Sequence, residues 1–108
     1  MNQQTAWLVL LAAACFETVW AVGLEYADGF SNLRATAVVV VALVVSMAGL
    51  AKAVEVLPVG TAYAVWTGVG AVGTVVLGIV LFGESTSPVR LVCLTAIVAG
   101  VVGLRFAA

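Results

Sequence analysis

The 108-residue chain is 65% hydrophobic and 8% charged, with four Lys/Arg, five Asp/Glu, no His and a formal net charge of −1. Soluble domains carry about 25% charged residues, so this composition excludes an ordinary soluble enzyme and a disordered segment. With no basic patch it also excludes a nucleic-acid binder. The two Cys lie in apolar runs and there is no His, so neither a metal site nor a disulfide framework is expected, and no cofactor or catalytic centre either.

The first apolar run covers 6–24, 19 residues. It is long enough to cross a hydrocarbon core of about 30 Å as a helix. Residues 1–5 lack Lys and Arg, and a cleaved signal core is shorter, so this run is expected to remain as a spanning helix. Glu17 is its twelfth residue, close to mid-membrane. An ionised group at that depth costs at least about 2.5–3.5 kcal/mol, and no run carries Lys, Arg or His at comparable depth. The carboxyl is then either held neutral by a proton or ionised beside a foreign cation. Because these states exclude each other, Glu17 can exchange one for the other across the membrane; alternatively it is a permanently protonated hydrogen-bond donor between helices. Residues three and four apart share a helix face, so Ala13, Glu17, Trp20 and Ala21 form one stripe. The alanines leave room beside the carboxyl, or simply allow close packing, and Trp20 supplies an aromatic wall.

The second run, 35–51, contains one Ser, Ser46, which either donates to Glu17 or bonds back to its own helix. The third, 59–82, carries Tyr63 and Trp66 three residues apart, aromatic faces that attract a desolvated organic cation by about 2 kcal/mol or more. Both are alternatively packing residues. Gly68 and Gly70 lie mid-run, as a hinge for a carrier that alternates its opening, or as close-packing positions. The fourth run, 89–106, has little polar chemistry, and Cys93 and Gly100 mark it as a helix–helix contact surface.

Connectors of 10, 7 and 6 residues at 25–34, 52–58 and 83–88 join antiparallel neighbours, leaving one domain over 1–108. The expected fold class is an all-α membrane protein, a four-helix bundle with both termini on one side. Lys52 and Arg105 on the terminal side balance Arg34 and Arg90 on the other, so Lys/Arg bias sets no orientation and insertion in both directions is expected. Four helices barely enclose a site. Two antiparallel copies would bring both Glu17 residues into one cavity of six helices, an inverted repeat made from separate chains.

The segments Phe16-Glu17-Thr18-Val19-Trp20-Ala21 and Leu57-Pro58-Val59-Gly60-Thr61-Ala62-Tyr63-Ala64-Val65-Trp66-Thr67-Gly68-Val69-Gly70-Ala71 resemble the small multidrug resistance family over essentially the whole chain. Trp20 and the glycine-bearing segment of the third run resemble its guanidinium exporter subtype more than its quaternary ammonium subtype. The resemblance implies an antiparallel, dual-topology homodimer in the bacterial inner membrane that exports guanidinium against protons. Glu17 would be the shared proton and substrate site, Trp20, Ser46 and Tyr63 would orient it by hydrogen bonds, Trp66 would line the cavity, and Gly68 and Gly70 would be the hinge. Glu25 and Glu55 stand where the family and its guanidinium exporters, respectively, usually carry lysine. The alternative implied is a polyspecific quaternary ammonium exporter, or half of a heterodimeric pair.

Overall fold

In the computed structural model, which describes residues 1–107, four helices follow one another along the chain: α1 (Gln3–Ala27), α2 (Leu33–Ala53), α3 (Val59–Phe82) and α4 (Pro88–Ala107). Each expected run is a helix, and each is long and apolar enough to cross a membrane. The third matches its expected span of 59–82, while the others extend a few residues beyond their apolar stretches. The extensions have local causes. The Asn2 and Asn32 side chains accept from the backbone N–H of Thr5 and Ala35, at 2.8 and 3.3 Å, satisfying amides that the first turn of a helix leaves unpaired. Ser87 does the same for Arg90 ahead of α4, whose first residue, Pro88, is preset for a helix start.

The turns stop the helices where Cβ sterics disfavour continuing them. Gly83 closes α3 in the left-handed conformation, φ 64°, that glycine adopts without penalty. The α1–α2 connection puts Asp28, Gly29 and Phe30 successively at positive φ, reversing the chain within a few residues.

The helices do not close into the bundle expected from the sequence. They form an open layer in the order α2–α1–α3–α4, with Cα extents of 40 × 35 × 16 Å. The backbone of α4 approaches α3 alone, and no described residue of α4 is buried. Lipid explains why closure is not enforced: tails are as apolar as leucine, so helices meet only where shape and polar groups favour contact. At the end carrying the termini, Ala6, Leu10, Ala13 and Ala14 of α1 pack with Ala53 of α2, with Leu57 just after it, and with Ala62, Val65 and Trp66 of α3. This is the one well-packed core among the described residues.

Close backbone approach holds α1 to α2. A Cβ added to Gly49 would lie 2.7 Å from the Ala13 Cβ, which is rigidly attached and cannot swing aside. Gly49→Ala is therefore expected to force the two helices apart and lower stability by about 1–3 kcal/mol, read as the shift of the unfolding midpoint when SDS is titrated into mixed micelles. Gly60→Ala, with nothing near its added methyl, should leave the midpoint in place.

Candidate functional site

Helix α1 carries Glu17 into its contact with α3, where the residue is 9% exposed. Opposite it stands Gly70, and a Cβ built there would collide with the Glu17 carboxylate. The acid thus rests against bare backbone, in space that any other residue at 70 would fill. The next residue fixes the crossing: Thr18 Oγ1 donates to the Gly70 carbonyl at 3.1 Å, and Thr74 Oγ1 donates to the same oxygen at 2.7 Å. Gly73 makes room for the Thr18 side chain. Thr18, Thr74 and Gly73 escape sequence reasoning because nothing in helical spacing alone tells which carbonyl a membrane threonine will reach.

Beside the carboxylate runs a groove of about 340 Å³ between α1 and α3, lined among others by Glu17, Trp20, Ala21, Thr67, Gly70 and Thr74. It is open along one face. Among the described residues the two ion pairs are Lys52–Glu55 and Arg90–Glu84, both in connectors or at helix ends, so no cation reaches Glu17. The neighbouring side-chain hydrogen bonds also go elsewhere, leaving the carboxylate without a donor. The Trp20 indole N–H is buried and likewise unpaired. Glu17 and Trp20 both line this groove, and neither the carboxylate nor the buried indole N–H has a hydrogen-bond partner among the described residues.

A second polar group ties the helices together one turn away. Ser46 Oγ, fully buried on α2, donates to the Ala13 carbonyl at 2.7 Å and accepts from Trp66 Nε1 at 3.0 Å. Ser46 and Trp66 thus hold the backbone of α1, whereas the sequence suggested a bond from Ser46 to Glu17 or to its own helix. Tyr63 is 57% exposed, its ring 5.8 Å from that of Trp66, and its hydroxyl makes no bond to Glu17 within the chain. Ala13 packs against Gly49 at the α1–α2 contact, and Ala21 is the alanine that lines the groove. Helix α3 runs unbroken through Gly68 and Gly70; a Cβ at Gly68 would meet Val101 and Ile97 of α4, so this glycine permits close approach of α3 and α4. Cys93 is exposed on α4, and an added Cβ at Gly100 meets nothing within 4 Å.

The family model described as Small Multidrug Resistance protein matches residues 5–97. The chain belongs to the small multidrug resistance family. It is 54% identical over 103 residues to a guanidinium exporter of Salmonella typhimurium, covering 95% of this chain and 98% of the relative. It is 56% identical over 100 residues to the guanidinium exporter of Escherichia coli K12, covering 93% and 95%. The guanidinium exporter of Citrobacter freundii is 54% identical over 100 residues. With four apolar spans, this small multidrug resistance protein is a multi-pass membrane protein.

In this family member the Ser46 hydroxyl serves two helices at once. Ser46→Ala leaves the buried Trp66 N–H and the Ala13 carbonyl each short of a partner, and should lower stability by about 1–3 kcal/mol. In a double-mutant cycle with Trp66→Phe, the penalty of Ser46→Ala should shrink, because the orphaned donor is already gone; detergent unfolding midpoints of the four proteins provide the measurement.

Proposed function

We propose that the protein is a proton-coupled exporter of guanidinium, with Glu17 holding either a proton or the cation, never both. The observation that carries this reading is the buried, unpaired carboxylate of Glu17 on an open groove. A group so placed is neutralised from outside the protein, and intramembrane ionisable residues are functional by default. One carboxylate balances one positive charge, so a bound proton and a bound cation compete.

The chemistry of the groove suits a small planar cation. A guanidinium ion presents paired N–H donors in the geometry a carboxylate accepts. The Trp20 ring provides an aromatic wall, and the hydroxyls of Thr67 and Thr74 provide acceptors around it. The names of relatives at 54–56% identity over nearly the full chain support guanidinium as the substrate.

A single chain leaves this groove open. The reading therefore includes a second copy, antiparallel to the first, that brings its own Glu17 and covers the open face. Tyr63 and Trp66 would line the shared cavity and Tyr63 and Trp20 would orient the acids, while Ser46 acts only through Trp66 and the α1 backbone. Gly68 and Gly70 would act as the hinge, and α4, through Cys93 and Gly100, would hold the dimer. The balanced Lys/Arg count supports insertion in both directions, in the bacterial inner membrane.

Proteoliposomes containing the purified chain alone test substrate and self-sufficiency together. Under an imposed pH gradient, guanidinium should be exchanged and tetraalkylammonium ions transported far less. Glu17→Gln should reduce exchange to the protein-free background, and Glu17→Asp should retain exchange with a displaced pH profile. Equal transport by wild type and Glu17→Gln would overturn the proposal.

A further inference from the structure

The start of α1 and the end of α4 meet on the side of the termini. There the Arg105 guanidinium lies over the Trp7 ring, 4.9 Å from its centroid. Beside this pair a groove of about 260 Å³ runs between α1, α3 and α4, walled by Trp7, Leu11, Val65, Val101 and Phe106, with Arg105 at its rim. The lining is otherwise entirely apolar.

Arg105 differs from the other basic residues whose partners are seen. Arg90 donates to the Ser85 carbonyl and to the Glu84 carboxylate, at 2.9 and 2.6 Å, and Lys52 faces Glu55 at 3.6 Å. Among the described residues no carboxylate or carbonyl accepts from Arg105, although stacking on Trp7 fixes its plane. Its paired donors are therefore oriented and unspent.

Depth decides what meets them. Trp7 precedes Glu17 by ten residues of continuous helix, about 15 Å of rise. That is half of a hydrocarbon core of about 30 Å, so a midplane Glu17 puts Trp7 and Arg105 at the headgroup level, where tryptophan and arginine anchor. The groove then descends from the headgroups into the acyl region.

We infer that this groove binds one anionic phospholipid, its phosphate on the Arg105 guanidinium and an acyl chain against Leu11, Val65 and Val101. The guanidinium fork matches two phosphate oxygens, and a net negative lipid compensates a positive charge that the described residues leave unpaired. Basic pockets between transmembrane helices take anionic headgroups for this reason. The site lies on a different stripe of α4 from Cys93 and Gly100, and it stands apart from Glu17, so its occupancy is independent of the transport reading.

Native mass spectrometry of the full chain, released from detergent with equimolar phosphatidylglycerol and phosphatidylcholine of identical acyl chains, tests this. Wild type should retain phosphatidylglycerol preferentially, and Arg105→Gln should cut that preference roughly fivefold, the effect of one interfacial charge. Leu11→Trp, which fills the groove but keeps the arginine, should reduce retention of both lipids, and chain-free glycerol phosphate should not displace them. An unchanged lipid ratio in Arg105→Gln would overturn the inference. So would full retention in Leu11→Trp, which would leave only headgroup attraction to a surface charge, or wild-type retention no higher than that of the two variants, as when a second copy covers the groove.

Discussion

Glu17 lies within a helix apolar enough to cross a membrane, and among the described residues no basic side chain neutralises it. That constraint organises the rest of the molecule. Glu17 is 9% exposed, and a charge left bare in hydrocarbon is too costly to persist. Neutralisation must be delivered by something mobile. In the proposed exchange, a proton and an organic cation with matching donors would be the two such agents, using the same oxygen atoms in turn. Such a competition would need no moving part at the site itself, only a second conformation presenting the acid to the other side of the membrane.

The packing keeps that acid accessible. A glycine at position 70 leaves the carboxylate its space, and the two threonine hydroxyls on the Gly70 carbonyl pin α1 to α3 without touching the carboxylate. Ser46, bridging Ala13 and Trp66, anchors the same helix one turn earlier. Glu17 is thus held by a rigid α1 and left free at its tip. The layer leaves α4 unburied and the groove uncovered on one face, the face that a second copy would cover in the proposed dimer.

Much of this was legible in the residues and some was not. The four spans follow from run length alone, and the third was located to the residue because Pro58 and Gly83 bracket it. The first two helices start before their apolar stretches because Asn2 and Asn32 cap them from outside, a signal that a reading by apolarity passes over. Glu17 emerges by elimination from nine charged residues, since position in a run is enough to place it in the membrane. Partners of Ser46, Tyr63 and Thr18 were not legible, because they depend on how each helix is rotated about its axis. The open layer was equally hidden. In a soluble protein a polar face marks the outside, but here lipid-facing and helix-facing residues have the same composition, and nothing in the pattern separates a layer from a bundle.

The claim that proton and cation share one carboxylate is tested most directly by proton release on binding. Guanidinium is added to the purified protein in weakly buffered detergent solution, and the pH change is followed across a series of starting pH values. If the two share the carboxylate, binding expels a proton at acidic pH, the release fades as the starting pH rises and Glu17 is already ionised, and Glu17→Gln releases none. Saturable binding of guanidinium with no proton released at any pH would contradict it.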